Sequence, residues 1–278
     1  MGRFKALVTG ASRGIGKAIA LDIARIGYDV AISARTVHAG EVRDNTLTVH
    51  RSDTRPLPGS LDETAAELRA VGVEVLPVAA DLTDLASVGA CAQRILDAWG
   101  AIDLIVHNGR YIGPGLMDMF MDIPLEAYGR FFTAHCLAPI VLTRALLPGM
   151  LERGQPRLIT ITSSAGMEVP PGLPGQGGWG LGYGVGKGSG HPLALQLYAE
   201  YKDQGLLAWN VQPGYIATER NHISVRDYGR EITGVAGPSV VGAVVAWLLT
   251  TPEGAALAGT MVEAQPVARQ HDLHPAWD

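Results

Sequence analysis

The sequence predicts an α/β fold in which a doubly wound parallel sheet of about seven strands carries helices on both faces. Short β-branched runs such as KALVTG, DVAISA and DLIVHNG alternate with helical patterns such as GKAIALDIARIG and LASVGACAQRILDAWG. This alternation is typical of βαβ units, which build parallel sheets. A hydrophobic content of 47% and a mean hydropathy of +0.15 indicate a well-buried globule and exclude a disordered chain.

The 278 residues are expected to form a single domain, 1–278, because no linker rich in Pro, Gly or Ser divides them. Further strand patterns in PRLITITSS, LLAWNVQPG and GTMVEAQ bring the predicted number of strands to seven. Three segments interrupt the alternation: a polar loop 37–59, a loop 167–182 rich in Pro and Gly, and a tail 266–278. Loops of such length in a compact domain are commonly functional or mobile.

Composition argues against several classes of protein. The longest apolar run, VVGAVVAWLL from Val240, has about half of the roughly 20 residues of a membrane span and predicts a buried helix. The N-terminus lacks the apolar core of a signal peptide, and Cys91 and Cys136 form no CxxC motif. A net charge of -5 without a Lys/Arg cluster argues against nucleic acid. We therefore expect a cytoplasmic protein without membrane or nucleic-acid partners.

The first strand-to-helix turn reads VTGASRGIGKAIA and carries glycines at Gly10, Gly14 and Gly16. Glycine at such a turn lets the backbone approach a pyrophosphate, while free N–H groups and the helix dipole attract the anion. The alternative is tight packing of the helix against the strand. The strand–turn–helix context favours dinucleotide binding in a Rossmann-type sheet.

A second motif, GYGVGKGSG, places Tyr183 and Lys187 on one face of a predicted helix, one turn apart. Four glycines between 184 and 190 would cost this helix about 3 to 4 kcal/mol relative to alanine, at about 0.8 to 1 kcal/mol each. Glycine permits close backbone approach, so we expect tertiary contacts near the cofactor, together with bound nucleotide, to supply the missing helix stability.

Five motifs, TGASRGIG, HNG, ITSS, YGVGK and QPGYIAT, resemble in kind and order those of the short-chain dehydrogenase/reductase superfamily. The resemblance extends from Lys5 to about Gln265 and points to its single-domain, NADP(H)-preferring branch. It implies hydride transfer between a nicotinamide cofactor and the carbonyl or secondary alcohol of a small molecule. It also implies a homodimer or homotetramer, with the helices at Tyr183 and Val240 as candidate interfaces.

The same resemblance implies a Ser-Tyr-Lys catalytic group. Ser163 lies three residues before Gly166, which is the common spacing in the family, whereas Ser164 lies only two residues before it. Ser163 is therefore the candidate that polarises the carbonyl. Tyr183 would exchange a proton with the substrate oxygen. Lys187 would lower the phenol pKa through its positive charge and hold the nicotinamide ribose.

Cofactor contacts follow from the motifs and from charge. Ala34 occupies the place where a carboxylate would accept the adenine ribose of NAD, and Arg35 and Arg13 could instead bind a 2'-phosphate. NADP(H) is therefore favoured over NAD(H), the alternative being two solvated arginines. The resemblance assigns the cofactor to Tyr183, Lys187 and the following residues: Gly10, Ser12, Arg13, Gly14, Ile15, Gly16, Arg35, Asp81, Leu82, Asn108, Gly109, Pro213, Gly214, Ile216 and Thr218.

Two histidines depart from the family pattern. The usual NNAG reads HNGR here, with His107 in place of the first asparagine. The helix asparagine that carries a proton-relay water in many members aligns with His135. That histidine either relays protons or is a hydrogen-bonded core residue. If His135 relays protons, the pH profile of activity should contain an extra ionisation, and His135→Asn should remove it.

Candidate substrate contacts are apolar, and we expect an apolar substrate, cyclic or aromatic. The residues are Met117, Phe120, Trp179 and Tyr215. The Met-rich segment LMDMFMDIP is either core packing or an adaptable wall of the substrate site. His271 and His274 in the tail have helical spacing for a metal, but a terminal pair is weak evidence, and we expect no metal site.

Two alternative functions remain open from the sequence. The scaffold could reduce C=N or C=C bonds, since pocket shape sets the hydride acceptor. It could also be a non-catalytic NADP(H)-sensing protein, which the departures at His107 and His135 favour. The intact Ser163, Tyr183 and Lys187 favour an enzyme. The natural substrate, the direction of reaction and its stereochemistry stay open at this level.

Overall fold

The computed structural model describes residues 2–222, 235–275 and 277. Its centre is one seven-stranded sheet in the order β3-β2-β1-β4-β5-β6-β7, and all neighbouring strands run parallel. The sheet thus confirms the predicted fold. The strands are β1 (Lys5–Thr9), β2 (Asp29–Ala34), β3 (Val75–Ala79), β4 (Leu104–His107), β5 (Arg157–Ile161), β6 (Leu207–Gln212) and β7 (Met261–Glu263). The strand order reverses between β1 and β4, and ligands of such sheets bind outside the strands' carboxyl ends at this point.

Helices cover both faces of the sheet. In chain order they are α1 (Gly14–Arg25), α2 (Leu61–Val71), α3 (Leu85–Trp99), α4 (Leu125–Phe132), α5 (Ala138–Glu152), α6 (Leu181–Gly190), α7 (Pro192–Tyr201), α8 (Pro238–Thr250), α9 (Pro252–Ala256) and α10 (Ala264–Gln270). A π-helical turn, Thr133–Leu137, joins α4 to α5, and short 3-10 turns lie at Phe120–Asp122, Ser164–Gly166 and Lys202–Gln204.

Alternation along the strands divides the core into two layers. In β1, Ala6 and Val8 pack with residues of α1 and α8, whereas Leu7 packs with residues of α3 and α5. This is the period of two expected of a strand that is buried on both faces. The apolar run from Val240 forms α8, and Val244 is fully buried in it, which confirms the buried helix predicted for this segment.

The helical run Leu125–Glu152, which contains α4, the π turn and α5, is 28 residues long. Within the described part of the chain it is the one helix that could cross a membrane by length and composition. Core helices pass the same test, and 44% of its apolar window is buried in the protein. Leu142 and Leu146 of α5 pack in the layer that contains Leu7 of β1.

The loop 37–59 is fastened to the segment that follows β4. The carboxylate of Asp118 is 1% exposed and accepts hydrogen bonds from the Val49 backbone N–H, at 3.0 Å, and from the Thr48 hydroxyl. Its second oxygen accepts from the Gly115 backbone N–H at 2.6 Å. One buried carboxylate therefore holds this loop against the segment that follows β4.

The loop 167–182 reaches the same segment from the other side. The backbone N–H of Gly180 donates to the carbonyl of Leu116 at 2.6 Å. A Cβ at Gly180 would lie 2.8 Å from the Asp118 carbonyl oxygen, so only glycine allows this approach. Both long loops thus meet at residues 115–118.

The described part of the tail 266–278 packs on α8. The ring of His271 lies 4.5 Å from that of Trp247, centroid to centroid. His274 shares a hydrogen bond of 2.8 Å with the hydroxyl of Ser239 at the start of α8. Each of the two tail histidines therefore has a packing partner on one helix.

Candidate active site

A cavity of about 930 Å³ opens at the carboxyl ends of the strands, where the strand order reverses. Its walls include residues that directly follow β1, β2, β4 and β6, namely Gly10, Arg35, Asn108 and Pro213. All of the predicted cofactor-binding residues line it, and so does Ser163. Residues from motifs far apart in the chain therefore line one continuous cavity.

The glycine turn at one end of the cavity fits a pyrophosphate. Gly10 and Gly14 have φ angles of +67° and +55°, which side chains rarely adopt. A Cβ at Gly16 would lie under 3.0 Å from the Gly10 carbonyl oxygen, so the turn needs glycine there as well. No described side chain caps the start of α1, whose first N–H groups are left available to an anion.

Three arginines line the same end of the cavity. Arg13 is held by the loop after β2, since its Nε donates to the Pro58 carbonyl at 2.6 Å and its Nη2 to the Gly59 carbonyl at 2.6 Å. Arg43 donates to the carbonyl of Arg35 at 2.8 Å. Sequence reasoning missed Arg43, although its place in an inserted loop directly after β2 could have indicated it.

One carboxylate faces the glycine turn. Glu219 lines the cavity, and its Oε2 lies 3.5 Å from the position that a Cβ of Gly14 would occupy. That oxygen is buried and has no hydrogen-bond partner among the described residues. Burial lowers the pKa of Arg13, and the negative charge of Glu219 offsets part of that effect. A phosphate bound at this turn would be repelled by Glu219.

Three of the four candidate catalytic residues, Ser163, Tyr183 and Lys187, line the other end of the cavity. Tyr183 and Lys187 stand one turn apart on α6, and Ser163, just past β5, acts on the Tyr183 hydroxyl and lowers its pKa. Ser163 also accepts from the Ala165 N–H at 3.3 Å, which orients its hydroxyl. Lys187 is 8% exposed, and its Nζ donates to the Ile161 carbonyl at 3.0 Å. The arrangement can hold a carbonyl oxygen and move a proton to it.

A fourth polar side chain, Arg110, joins this group. Its Nη1 donates to the Tyr183 hydroxyl oxygen at 3.3 Å. Burial alone would raise the pKa of Tyr183, but the charges of Arg110 and Lys187 and the hydrogen bonds from Arg110 and Ser163 lower it to about 8. At pH 7 roughly one tyrosine in ten would then be ionised, against one in a thousand at the ordinary pKa. The sequence analysis assigned no role to Arg110, although it belongs to the HNGR motif.

His135 lies on the π turn, and its ring centroid is 6.1 Å from that of Tyr183. Its Nε2 accepts from the Tyr111 backbone N–H at 3.1 Å, so the ring proton of the neutral form lies on Nδ1. Burial, followed by the charges of Lys187 and Arg110, lowers the pKa of His135 well below 6.5. The extra ionisation expected from this residue therefore lies below the usual working range, and any relay must use the neutral ring.

A small cavity of about 20 Å³ lies between Lys187 and His135. This is room for one water, which needs roughly 10 to 15 Å³. Within the described ranges, the Nδ1 atoms of His107 and His135 have no hydrogen-bond partner. His107 Nε2 shares a hydrogen bond of 2.9 Å with Thr143, and burial lowers the His107 pKa to about 3. His107 is thus a neutral core histidine, and the cavity offers polar partners for a relay water.

The wide part of the active-site cavity has an apolar wall. Three of the four predicted substrate residues line it: Met117, Trp179 and Tyr215. Phe120 is not among the cavity-lining residues and is 64% exposed, because it lies on the 3-10 turn Phe120–Asp122. Sequence reasoning missed further apolar residues of this wall: Tyr111, Ile112, Leu116, Val169 and Pro171.

Residues 53–228 match the family model described as short chain dehydrogenase. This stretch includes the catalytic group and most of the cavity. The chain belongs to the short-chain dehydrogenase family. Members of this family are oxidoreductases that use nicotinamide dinucleotides and act on small-molecule alcohols or ketones, and in this chain the candidate catalytic residues line one cavity.

Several curated relatives cover most of this short-chain dehydrogenase. Dehydrogenase/reductase SDR family member 7 of Homo sapiens is 30% identical over 234 residues, which are 83% of this chain and 59% of the human protein. 1-deoxy-11-beta-hydroxypentalenate dehydrogenase of Streptomyces arenae is 30% identical over 95% of this chain and 76% of its own. Cyclohexanol dehydrogenase of Rhodococcus sp. (strain TK6) is 28% identical over 77% of this chain and 75% of its own. The chain thus spans about three fifths of the human relative's length.

Solved structures share the fold. L-sorbose reductase from Gluconobacter frateurii, complexed with NADPH and L-sorbose, has a TM-score of 0.72 and 22% identity and covers 95% of both chains. A 3-oxoacyl-[acyl-carrier protein] reductase from Brucella melitensis, in complex with NAD, has a TM-score of 0.73 and 25% identity and covers 95% of this chain and 96% of its own. Since one binds NADPH and the other NAD, the fold is compatible with both cofactors.

The glycines of α6 are explained by its neighbours in this short-chain dehydrogenase. A Cβ at Gly182 would lie 2.9 Å from the Phe131 ring, one at Gly190 would lie 2.8 Å from the His135 carbonyl oxygen, and one at Gly186 would lie under 3.0 Å from His135 Nδ1. The remaining glycines of the helix face the 3-10 turn after β5: Gly184 and Gly188. Close contacts with neighbouring protein atoms therefore explain why α6 carries glycine at these positions.

Proposed function

We propose that this chain interconverts a ketone and a secondary alcohol with NADP(H), and that its substrate is apolar, cyclic or aromatic. One observation carries the proposal. Ser163, Tyr183 and Lys187 line the same cavity as a glycine turn suited to pyrophosphate, and the charge of Lys187 acts on the Tyr183 hydroxyl. The cavity therefore has a place for the proton donor and a place for the cofactor.

The chain's own residues account for the proton chemistry. When bound, the reduced nicotinamide supplies a hydride to the carbonyl carbon. Ser163 donates a hydrogen bond to the carbonyl oxygen, and Tyr183 gives that oxygen its proton. Lys187 stabilises the phenolate that results and holds the ribose hydroxyls. In the oxidation direction the phenolate of Tyr183 accepts the alcohol proton, so that direction gains from a lowered tyrosine pKa.

Charge supports NADP(H) over NAD(H). The turn from Gly10 to Gly16 would hold the pyrophosphate, Asp81 the adenine and Thr218 the carboxamide. A 2'-phosphate would lie near Arg35, which lines the cavity directly after β2. Arg13 and Arg43 line the same end and already have partners: Arg13 donates to backbone carbonyls, and Arg43 pairs with the Glu41 carboxylate. The side chain of Ala34 at the end of β2 offers no carboxylate to a ribose. Arginine binds phosphate bidentately, which gives these guanidinium groups a specific ligand.

The walls of the cavity support an apolar substrate. Met117, Trp179 and Tyr215 line the cavity, and Trp179 belongs to the loop 167–182. Buried Tyr111 packs in the same apolar cluster as Met117. The similarity to a cyclohexanol dehydrogenase supports a cyclic alcohol or ketone. Aromatic and Met side chains adapt to such rings by dispersion contacts.

The test compares the native chain with Tyr183→Phe. NADPH and NADH consumption is followed by absorbance with cyclic and aryl ketones, together with imines and enones. We expect turnover with NADPH on cyclic ketones, reduced at least 100-fold in the variant because general acid catalysis contributes roughly 10² to 10⁴. If only imines or enones are turned over, the hydride acceptor is a C=N or C=C bond and not the carbonyl of a ketone. Tight NADPH binding without turnover on any substrate would favour a sensing protein.

We further propose that residues 1–278 act as one catalytic domain that forms a homodimer or homotetramer in the cytoplasm, without membrane or nucleic-acid partners. Leu181 and Val185 of α6 are exposed and apolar, which supports α6 as an interface, and α8 is the second candidate. Light scattering coupled to size-exclusion chromatography measures the assembly. A monomer at micromolar concentration would contradict this part of the proposal.

A further inference from the structure

Arg110 lies directly after the HNG motif that follows β4, with its side chain in the active-site cavity. The guanidinium reaches the Tyr183 hydroxyl with a 3.3 Å hydrogen bond, and its central carbon is 6.0 Å from the centre of that ring. In the described part of the chain, no carboxylate forms an ion pair with Arg110. The proposed proton donor thus accepts a hydrogen bond from a cation that has no carboxylate partner among the described residues.

Polar side chains face Tyr183 from four neighbouring elements. Lys187 faces it from α6, Ser163 from the turn after β5, His135 from the π turn, and Arg110 from the segment after β4. His135 is neutral because burial and the two cations lower its pKa. Among the described residues, no carboxylate contributes to the shift of the Tyr183 pKa. The hydroxyl therefore lies between two positive charges.

We propose that Arg110 is a positioning residue for proton transfer, which holds the Tyr183 hydroxyl and stabilises the phenolate that remains after the proton has left. This inference rests on the proposed function, in which Tyr183 is the proton donor. In ketone reduction the Tyr183 O–H bond breaks, its proton goes to the substrate oxygen, and its electron pair stays on the phenolate. In alcohol oxidation the same pair accepts the alcohol proton, and Arg110 stabilises the phenolate before the reaction.

The direct test is a spectrophotometric titration, which needs neither cofactor nor substrate. Tyrosinate absorbs in the near ultraviolet, and subtracting the curve of Tyr183→Phe from that of the native chain isolates Tyr183 from the other seven of its 8 tyrosines. We expect an ionisation near pH 8 in the native chain. In Arg110→Met it should rise by about one pH unit, at the low end of the usual effect of one nearby charge because Arg110 is exposed. Arg110→Lys keeps the charge and should restore most of the shift.

The pH profile of turnover provides the second readout. The limb for alcohol oxidation should move to higher pH in Arg110→Met by the same amount as the titration, while Arg110→Lys stays close to the native profile. NADPH affinity and the urea midpoint of each variant control for damage to the fold. A merely structural role for Arg110 would lower activity at every pH without moving the ionisation.

Two outcomes would overturn the inference. If Arg110→Met titrates as the native chain does, Arg110 does not act on the tyrosine. If its only effect is a higher KM for ketones that carry a carboxylate, Arg110 binds the substrate instead. A fully active Tyr183→Phe is a separate result, since it would refute the proposed function, whereas the titration would still report whether Arg110 shifts that residue's ionisation.

Discussion

Replacing Gly186 by alanine tests whether glycine in α6 is required for packing against the π turn. Alanine is the better helix former by about 0.8 to 1 kcal/mol, so an isolated helix would gain from the change. In the folded chain, however, the new Cβ would lie under 3.0 Å from His135 Nδ1 and 3.0 Å from the Cβ of Phe131. His135 is held by its hydrogen bond from Tyr111, and Phe131 is fully buried, so neither can move away freely.

A matched control is available in α3. Gly89 also lies inside a helix, but a Cβ there would meet nothing within 4 Å. Gly89→Ala should therefore stabilise the chain by up to about 1 kcal/mol. Gly186→Ala gains the same propensity and loses about 1 to 3 kcal/mol to overpacking. The difference between the two variants, about 1 to 3 kcal/mol, isolates the steric cost at Gly186.

Urea denaturation of the native chain and both variants measures this difference. The reasoning would be refuted if Gly186→Ala stabilised the chain as much as Gly89→Ala. Combining Gly186→Ala with His135→Asn sharpens the test, because asparagine lacks the ring that meets the new Cβ. The cost of alanine should fall in that background, and a double-mutant cycle gives the coupling. No coupling would mean that Phe131 or the backbone carries the strain.

Two charge substitutions test the cofactor end of the cavity. Ala34→Asp places a carboxylate where a 2'-phosphate is proposed, and should raise the KM for NADPH at least 10-fold while lowering that for NADH, since a charge-assisted hydrogen bond is worth about 1.5 to 3 kcal/mol. Equal changes for both cofactors in steady-state kinetics would contradict this. Glu219→Gln removes the negative charge beside Gly14 and should tighten NADPH binding by up to about fivefold in calorimetry at low salt, and less at high salt. Unchanged affinity at low salt would show that Glu219 does not face the phosphates.

The fold could be predicted because its signals are local, and two parts of the candidate site have local signals as well. Strand and helix patterns alternate along the chain, and the glycine turn and the Tyr183–Lys187 pair are short motifs whose spacing has a direct physical meaning. The structure confirms the seven strands and their parallel order. It also brings Ser163 to Tyr183 across an interval of twenty positions, which is not a local contact and was predicted from the family pattern alone.

The other residues of the candidate site could not be predicted, because they lie in loops and the sequence does not show the direction of loop side chains. Arg43 and Arg110 lie in irregular segments, where no periodicity predicts direction, and both point into the cavity. Phe120 is a large apolar residue of the kind that lines substrate sites, yet its side chain on the 3-10 turn is exposed. The pKa of His135 is set by burial and by charges from other elements, so the ordinary value near 6.5 gave the wrong expectation for its ionisation.

Two of the residues that depart from the family pattern, His135 and Arg110, lie next to Tyr183. His135 packs on Gly186, holds the backbone of Tyr111 and stays neutral, while Arg110 adds a second positive charge to the proton donor. If the chain had lost its enzymatic activity, nothing would keep the residues at these positions in contact with Tyr183 and its neighbours. A sensing protein needs the cofactor cavity but gains nothing from a tyrosine whose pKa is lowered to about 8. The contacts at these positions therefore support the proposed enzyme over a sensing protein.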